Sequence, residues 1–391
     1  MTDRPVRVLV VSRPSRVWGA QLRLLLTAPG LRARGVELTL AVPDGNPLAD
    51  RWRAAGLPMV VLPPPGPDSL RRPDGRRAGP IDMARAGRTA LAGAVRLART
   101  ARRFDAVLSF SRHTHVEAAV AGRLARRPVV LEVVDIVRPG LGRRVLQAAA
   151  RLATVVVANS RATAATLGSA PRDLRVLHPI VDLTRFEPGP VDATLRDRLG
   201  GAGDRPVVAI VGRLDPGKGI ELVAAAFARA TASEHPTLAA AVLAVVGDRG
   251  VAPDGYVERL RADVGTLLGD RVVFTGRIED VPGVLRSVEA FINASDAEPF
   301  GRSILEAQAT GTPVVAARGG GVPEFVEDGR TGLLFPPGDA DAVADALERV
   351  LADRELAAAM AAAAREQVTA RFDPDDRFDE LAALYHGLVR R

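Results

Sequence analysis

The chain has 391 residues, of which 47% are hydrophobic and 25% charged, a composition typical of a soluble globular protein large enough for two domains. It contains no cysteine, which excludes disulfides and cysteine-ligated metals and is compatible with a cytoplasmic protein. Its five scattered histidines lack the spacing of a zinc site, and no apolar run reaches the length of about 18 residues that a spanning helix needs.

Positive charge is concentrated in the first half of the chain. Residues 1–200 carry 33 basic and 16 acidic side chains, a balance of +17, whereas residues 201–391 carry 20 and 30, a balance of −10. A basic half suggests anionic partners, although a solvated, arginine-biased surface gives the same pattern. Aromatic residues make up only 4% and do not alternate with the arginines, so we expect no nucleic-acid partner. A peripheral contact with the inner face of an anionic membrane stays open.

Short β-branched runs alternate with longer alanine- and arginine-rich stretches along the chain. Because these runs are apolar with almost no alternation, they predict strands buried on both faces, as in a parallel sheet covered by helices. The first six predicted strands cover residues 6–11, 36–42, 59–62, 105–110, 128–134 and 154–160. The next six cover residues 206–213, 240–248, 271–276, 289–295, 313–317 and 331–335.

This pattern is interrupted at two places. The segment PPPGPDSLRRPDGRRAGP (63–80) is too long and polar for an ordinary connection, which predicts a mobile loop before a helix over Ile81–Arg103. Residues 177–205 are rich in proline, glycine and charge and coincide with the change of charge sign, which predicts a domain boundary. The predicted domains are residues 1–185 and 206–372, with a linker over 186–205 and a closing helix over 373–391.

Lys218 is the only lysine in the chain, and it ends the segment GRLDPGK (212–218). The spacing matches the G-x-x-x-x-G-K of a P-loop, but Gly219 follows where a Ser or Thr would bind Mg²⁺, which argues against an NTPase. What remains is a glycine-rich turn and a helix start that present amides to an anion, with Arg213 and Lys218 as cations. Lysine is a compact point charge that fits where the planar fork of arginine would clash. We therefore predict a phosphate site that needs a small cation.

The segment SDAEPFGRSILEAQATGTPVVA (295–316) contains two carboxylates eight positions apart, Glu298 in a loop and Glu306 in a helix predicted to open at Gly301. Two glutamates at this spacing are by themselves common on a protein surface. The turn between them and the free amides of the helix start offer a second phosphate site, and carboxylates accept hydrogen bonds from sugar and ribose hydroxyls. A nucleotide-sugar would satisfy all of these groups together.

These segments resemble glycosyltransferase family 4, retaining enzymes of the GT-B fold, over almost the whole second half. VGRLDPGKGIELVAAAF resembles the diphosphate-binding segment of the family, EPFGRSILEAQATGTPVVA its E-x7-E segment, and RGGGVPEFVEDGRTGLLFPPGDADAVADAL the stretch that follows. The resemblance implies an α/β protein with two doubly wound Rossmann-like domains facing across a cleft. It assigns acceptor binding to residues 1–185, nucleotide-sugar binding to residues 206–372, and packing on the first domain to the closing helix.

The resemblance also implies roles for single residues. Arg213 and Lys218 contact the donor diphosphate and, together with Glu298, are the predicted catalytic residues. The resemblance implies that Glu298 and the backbone of Phe300 and Gly301 bind the transferred sugar. It implies that Ser303 contacts the distal phosphate, that Glu306 binds the ribose and that the backbone of Ile278 receives the base. Gly19 belongs to the first glycine loop, which the resemblance also places at the donor. The resemblance implies no cofactor and no metal, and a UDP- or GDP-sugar as the donor substrate.

The first half departs from the family pattern. The family commonly ends one strand with a histidine beside the reacting carbon, whereas PVVLEVVDIV has Val134, and Trp18 stands where a first glycine is usual. His113 and Asp135 are the candidate residues on the acceptor side. A retaining front-face mechanism can use the departing diphosphate as the base, and electrostatic stabilisation of that diphosphate then supplies most of the catalysis.

The sequence thus predicts a metal-independent, retaining glycosyltransferase that moves a sugar from an NDP-sugar donor to an acceptor hydroxyl. The main alternative, motivated by Val134, is a donor-binding protein of the same fold without turnover. A pseudo-glycosyltransferase and a nucleotide-sugar epimerase share this architecture. The base, the sugar, the oligomeric state and the acceptor, which could be a glycan, a lipid or a small natural product, are left open.

Overall fold

The computed structural model describes residues 4–13, 17, 19–62, 80–232, 235–250 and 252–390, and it divides the chain into two compact units. Unit 1 comprises Met1–Ile180 and Pro374–Arg391, and unit 2 comprises Val181–Asp373. The predicted loop over residues 63–80 lies outside the described residues, apart from Pro80, which begins a helix.

Unit 1 contains a sheet of seven parallel strands, of which the sequence predicts six. The missed strand is the last one, which has three residues and pairs with a single neighbour at the sheet edge, so it lacks a long apolar run. The strands are β1 (Val6–Val11), β2 (Val36–Pro43), β3 (Met59–Leu62), β4 (Ala106–Ser109), β5 (Val129–Val133), β6 (Val155–Ala158) and β7 (Leu174–Val176). Their order across the sheet is β3-β2-β1-β4-β5-β6-β7.

Helices cover both faces of this sheet. They are α1 (Gly19–Ala33), α2 (Pro47–Ala54), α3 (Pro80–Ala101), α4 (His115–Ala125), α5 (Leu141–Leu152), α6 (Arg161–Ala165) and α15 (Pro374–Val389). Successive strand residues point to opposite faces, so Val10 joins the core under α1, α2 and α15, while Val11 joins the core under α3, α4 and α5. Helix α15 returns to unit 1 and packs so closely on α1 that a Cβ at Gly30 would lie 2.2 Å from the ring of Phe378.

Unit 2 contains six parallel strands, all of them predicted, in the order β10-β9-β8-β11-β12-β13. The strands are β8 (Val207–Val211), β9 (Val242–Val246), β10 (Val272–Gly276), β11 (Ala290–Asn293), β12 (Val314–Ala317) and β13 (Leu333–Phe335). The helices are α7 (Ala193–Arg198), α8 (Ile220–Ala230), α9 (Pro236–Ala239), α10 (Tyr256–Leu268), α11 (Val281–Arg286), α12 (Arg302–Thr310), α13 (Ala340–Ala352) and α14 (Arg354–Arg371).

Residues 186–205, predicted as a linker, lie within unit 2 and contain helix α7. Asp192 caps this helix by accepting a hydrogen bond from the Leu195 amide at 3.0 Å. Leu195 and Leu199 then pack into a small core under the sheet. A helix of only six residues between prolines and glycines gives little periodic signal, which explains why the sequence pattern indicates a linker.

In both sheets the strand order reverses beside the first strand of the unit. This switch point lies between β1 and β4 in unit 1 and between β8 and β11 in unit 2. Doubly wound sheets bind ligands beyond the carboxyl ends of the strands at this point, where neighbouring loops diverge to opposite faces. The topology thus predicts that the residues following these four strands form the ligand sites.

Candidate functional site

The turn between β8 and α8 carries the predicted phosphate segment. Gly219, the residue before α8, has a φ of 68°, and a Cβ there would lie 2.4 Å from the carbonyl oxygen of Ala294. Glycine alone tolerates both this left-handed backbone and this close approach without strain. The turn is therefore packed against the end of β11, which brings Lys218 to the loop that follows β11.

An ion pair joins the two sides of the unit 2 switch point. Lys218 Nζ donates a hydrogen bond to Glu298 Oε2 at 2.7 Å, and the two side chains are 27% and 15% exposed. Burial raises the pKa of Glu298, but the charge and hydrogen bond of Lys218, together with smaller effects of Ser295 and Asn293, outweigh burial, so the pKa lies below its ordinary value. Glu298 is therefore an ionised carboxylate held by the only lysine of the chain. The sequence places both residues in the site without predicting their contact.

The segment RGGGVPEF supports the backbone of Glu298. The Gly321 amide donates to the Glu298 carbonyl oxygen at 2.9 Å. Gly320 has a φ of 58°, and a Cβ there would lie 1.9 Å from the same oxygen. This glycine segment thus fixes the loop that presents the Glu298 carboxylate, a role that the sequence analysis leaves unassigned.

Arg213 is the second predicted cation of the phosphate turn. Its Nε lies 3.3 Å from Asp215 Oδ2, and its side chain is 38% exposed while that of Asp215 is 7% exposed. The buried carboxylate orients the guanidinium at the carboxyl edge of the sheet.

Glu306 lies inside α12, which begins at Arg302 as predicted. Arg302 Nη2 donates to Glu306 Oε1 at 3.0 Å, one helical turn away. Burial raises the pKa of Glu306, and the nearby charges of Arg302 and Arg185 offset only part of that effect. The two carboxylates of the E-x7-E segment therefore differ in electrostatic setting, since the pKa of Glu298 is lowered and that of Glu306 is raised.

The start of α12 contains the other residues predicted to hold the donor. The Phe300 ring is buried and stacks on Phe325 with a centroid distance of 4.6 Å, so only its backbone can serve a ligand. Gly301, with a φ of 108°, precedes the helix, and Ser303 lies half-buried in its first turn. Ile278 follows β10, where its half-buried side chain packs on the small core of unit 2. The ligand contacts implied for these residues remain predictions.

The predicted residues of the first half lie in unit 1. Gly19 is the first residue of α1, His113 is exposed in the turn between β4 and α4, and Asp135 is exposed two residues beyond β5. Val134, which stands in place of the usual histidine, is half-buried, and its carbonyl oxygen accepts a hydrogen bond from Asn159 Nδ2 at 3.3 Å. The acceptor-side roles of His113 and Asp135 remain predictions.

An ion pair that the sequence does not predict lies at the unit 1 switch point. Arg13 follows β1, Glu117 lies in the first turn of α4, and both Nη atoms of the arginine donate to the carboxylate, with Nη2 2.9 Å from Oε1. The two side chains are only 9% and 11% exposed. No local signal predicts this contact, because the partners lie 104 residues apart.

A buried polar network lies beside this pair. Ser109 Oγ lies 2.8 Å from both Thr114 Oγ1 and His115 Nδ1, and Thr114 Oγ1 donates to the Val11 carbonyl oxygen at 3.1 Å. Burial and, to a smaller extent, the charge of His113 lower the pKa of His115 to about 4. His115 is therefore a neutral group that ties β4 to α4, and His113 is the histidine that reaches solvent.

Solved structures identify the class of protein. HepE of Anabaena, in complex with UDP-glucose, matches with a TM-score of 0.81 and 26% identity over 97% of this chain and 99% of that chain. Sucrose-phosphate synthase of Thermosynechococcus elongatus, at 23% identity, shares the fold with a TM-score of 0.74 over 98% and 99% of the two chains. With its two Rossmann-like units, the chain has the GT-B glycosyltransferase fold.

Family models identify the family. The model described as Glycosyltransferase Family 4 matches residues 18–185, and the one described as Glycosyl transferases group 1 matches residues 191–367. The chain belongs to glycosyltransferase family 4.

Two curated relatives fit this assignment. The GDP-mannose-dependent alpha-(1-6)-phosphatidylinositol monomannoside mannosyltransferase of Mycobacterium tuberculosis is 36% identical over 250 residues, which are 61% of this chain and 61% of the relative. The D-inositol 3-phosphate glycosyltransferase of Saccharomonospora viridis is 36% identical over 222 residues, 56% of this chain and 51% of that relative. The chain thus matches between half and two thirds of the length of these relatives.

Proposed function

We propose that this chain is a retaining, metal-independent glycosyltransferase that moves a sugar from a nucleoside-diphosphate sugar to an acceptor hydroxyl. The observation that carries the proposal is the contact between Lys218 and Glu298 at the switch point of unit 2. A diphosphate needs a cation, the sugar beside it needs a hydrogen-bond acceptor, and this pair offers both at one position. In this proposal unit 2 binds the donor and unit 1 binds the acceptor.

The ion pair can exchange partners when a donor binds. Lys218 makes a single contact with Glu298, so the oxygens of a diphosphate, which also accept charge-assisted hydrogen bonds, can compete for the ammonium. The Glu298 carboxylate can then accept hydrogen bonds from the sugar hydroxyls. Arg213 and the amides at the starts of α8 and α12 stabilise the negative charge that develops as the diphosphate departs.

The names of similar proteins support a class of donor. The M. tuberculosis relative is named as GDP-mannose-dependent, and HepE was solved with UDP-glucose, which supports a UDP- or GDP-sugar. The names of the two curated relatives contain phosphatidylinositol monomannoside and D-inositol 3-phosphate, so inositol phosphates and inositol glycolipids are the first acceptors to test. Metal independence is supported by Gly219, which stands where a P-loop provides a hydroxyl for Mg²⁺.

A thermal-shift screen against UDP-, GDP- and TDP-sugars tests the donor class, because a tight ligand stabilises the native state by mass action. We expect one nucleotide to raise the melting temperature. NMR of the product is then expected to show an unchanged anomeric configuration, with the same rate in the presence of EDTA. Donor binding without hydrolysis or transfer would instead support the alternative of a binding protein, which Val134 favours. An inverted product or a rate abolished by EDTA would contradict the proposal.

A further inference from the structure

We propose that the outer surface of α3, α4 and α5 docks on an anionic lipid membrane. The three helices lie side by side on one face of the unit 1 sheet, where Leu97, Ala118 and Leu146 contribute one buried side chain each to a common core. Their remaining sides therefore form one continuous outer surface, which we call the basic layer and define as the exposed residues of 88–152. This inference is independent of the proposed transfer reaction.

Large apolar side chains are exposed in the basic layer. It holds seven of the thirteen exposed large hydrophobic residues found in the part of the chain that the structure describes. A group of such residues on adjacent helices marks an interaction surface, whereas single exposed leucines are ordinary. The seven, with exposures from 37% to 59%, are Leu91, Val95, Val116, Leu124, Leu141, Val145 and Leu152.

Eleven arginines on the three helices and in the turns beside them accompany these apolar residues. They are Arg88, Arg96, Arg99, Arg102, Arg103, Arg112, Arg123, Arg126, Arg138, Arg144 and Arg151, and all eleven are exposed. The structure gives none of them an ion pair with an acidic side chain that it describes.

The acidic residues of 88–152 do not neutralise this charge. Asp105, Glu117 and Glu132 pair with arginines outside the basic layer, and Asp135 is the only exposed carboxylate in this range. In unit 2 exposed carboxylates are frequent, and some exposed arginines, such as Arg229 and Arg330, pair with one. The basic layer therefore differs from unit 2 in having a single exposed carboxylate beside its exposed arginines.

An anionic bilayer matches both features of the basic layer. On α3 and just beyond its end, the exposed residues Arg88, Leu91, Val95, Arg99 and Arg102 recur at spacings of three and four, so cations and apolar groups share one side of the helix. Binding at a membrane surface combines burial of such apolar groups with attraction of basic residues to anionic headgroups. Nucleic acid fits less well, because the exposed large hydrophobic residues of this surface are aliphatic. No helix in the described parts of the chain is long and apolar enough to cross the bilayer, so the contact would be peripheral.

Vesicle flotation of the full chain tests this inference. We expect binding to phosphatidylcholine vesicles that contain phosphatidylglycerol and none to phosphatidylcholine alone. The triple variant R96Q/R99Q/R103Q is expected to bind about 100-fold more weakly at low salt, since each basic residue near the surface contributes about fivefold. The triple variant L91S/L124S/L141S is expected to bind about tenfold more weakly even when salt screens the charges.

The matched control is R259Q/R261Q/L267S on α10 of unit 2, where three residues of the same types are also exposed. We expect this control to bind vesicles like the wild type. All three variants should keep the wild-type melting temperature and the wild-type rate of donor hydrolysis without vesicles, which separates membrane docking from the transfer reaction. Binding that is independent of anionic lipid, or an equal loss in the control, would overturn the inference. Binding to heparin or to an acidic protein without vesicle binding would assign the surface to another polyanion.

Discussion

The two units carry an ion pair at the same place in the same topology, but the pairs are built differently. In each unit the cation follows the first strand, and the carboxylate comes after the strand next to it across the switch point. Arg13 and Glu117 in unit 1 are joined through both Nη atoms and are almost completely buried. Lys218 and Glu298 in unit 2 share a single contact and are more exposed.

This difference separates a structural pair from one that can serve a ligand. An arginine fork on a carboxylate is held in one geometry by two hydrogen bonds, whereas an ammonium is a point charge that can exchange one oxygen for another. The unit 1 pair therefore fixes α4 against β1, while the unit 2 pair can open when phosphate oxygens arrive. In the proposed function, the one lysine of a chain that otherwise uses arginine lies where a contact has to open for the donor.

Lys218→Arg tests this comparison with the largest expected effect, because it gives unit 2 the kind of pair found in unit 1. Charge is preserved, yet the fork should hold Glu298 and misplace the diphosphate. We expect kcat/KM to fall about 100-fold, as a small misplacement of a reacting group can do. The melting temperature without donor should not fall. Steady-state kinetics and thermal melting check both outcomes.

Two further variants serve as the comparisons for Lys218→Arg. Lys218→Ala should be at least as damaging, because it also removes the charge that stabilises the leaving group. Arg229→Lys makes the reverse exchange in the exposed pair with Asp341, and it should leave kinetics and stability unchanged. Wild-type kinetics for Lys218→Arg would show that positive charge alone is required at this position.

Arg13→Lys is the reciprocal change, and we expect it to act on stability. Losing one of two charge-assisted hydrogen bonds to a buried carboxylate should lower the free energy of unfolding by about 2 kcal/mol. Urea denaturation measures this, with Arg53→Lys in the exposed pair with Asp50 as the control that stays near zero. A large loss of turnover with unchanged stability would show that Arg13 takes part in the reaction and that the unit 1 pair is not purely structural.

The two carboxylates of the E-x7-E segment, Glu298 and Glu306, should have different roles. Glu306→Ala is expected to raise the dissociation constant of the free nucleoside diphosphate about tenfold, in line with the loss of one charge-assisted hydrogen bond. Glu298→Gln is expected to lower turnover more than nucleotide affinity, because Glu298 is assigned to the sugar. Calorimetric titration and kinetics distinguish the two, with Glu258→Ala on exposed α10 as the control. Identical behaviour of both variants would contradict the division.

The smallest expected effect is a dependence of unit 1 stability on pH. His115 has a pKa of about 4 in the folded protein against 6.5 for an ordinary histidine, so below pH 6.5 the unfolded state binds more protons. The contribution of His115 is fully present above pH 6.5 and is lost as the pH falls toward 4. Denaturation should show a loss of about 1 kcal/mol between pH 6.5 and about 5.5. His115→Gln should remove this slope and His386→Gln should keep it; an unchanged slope in His115→Gln would mean that another group titrates.

The sequence by itself determined twelve of the thirteen strands that the structure describes and the glycine turn at Lys218, and it proposed the donor-site residues. Strands buried on both faces need continuous apolar runs, so all six strands of unit 2 could be predicted, while the three-residue edge strand β7 gave no such run. The glycines around Lys218 and the apolar side of α15 are equally local features, since a left-handed turn or a helix face depends on neighbours in the chain.

Only the tertiary structure decided which charges pair. Lys218 and Glu298 lie 80 residues apart, and Arg13 and Glu117 lie 104 apart. Each contact exists because two strands are neighbours across a switch point, which is a property of strand order and not of any segment. Tertiary structure likewise decided that the exposed arginines of the basic layer face outward without a described carboxylate partner, because burial in a shared core selects which side of each helix meets solvent.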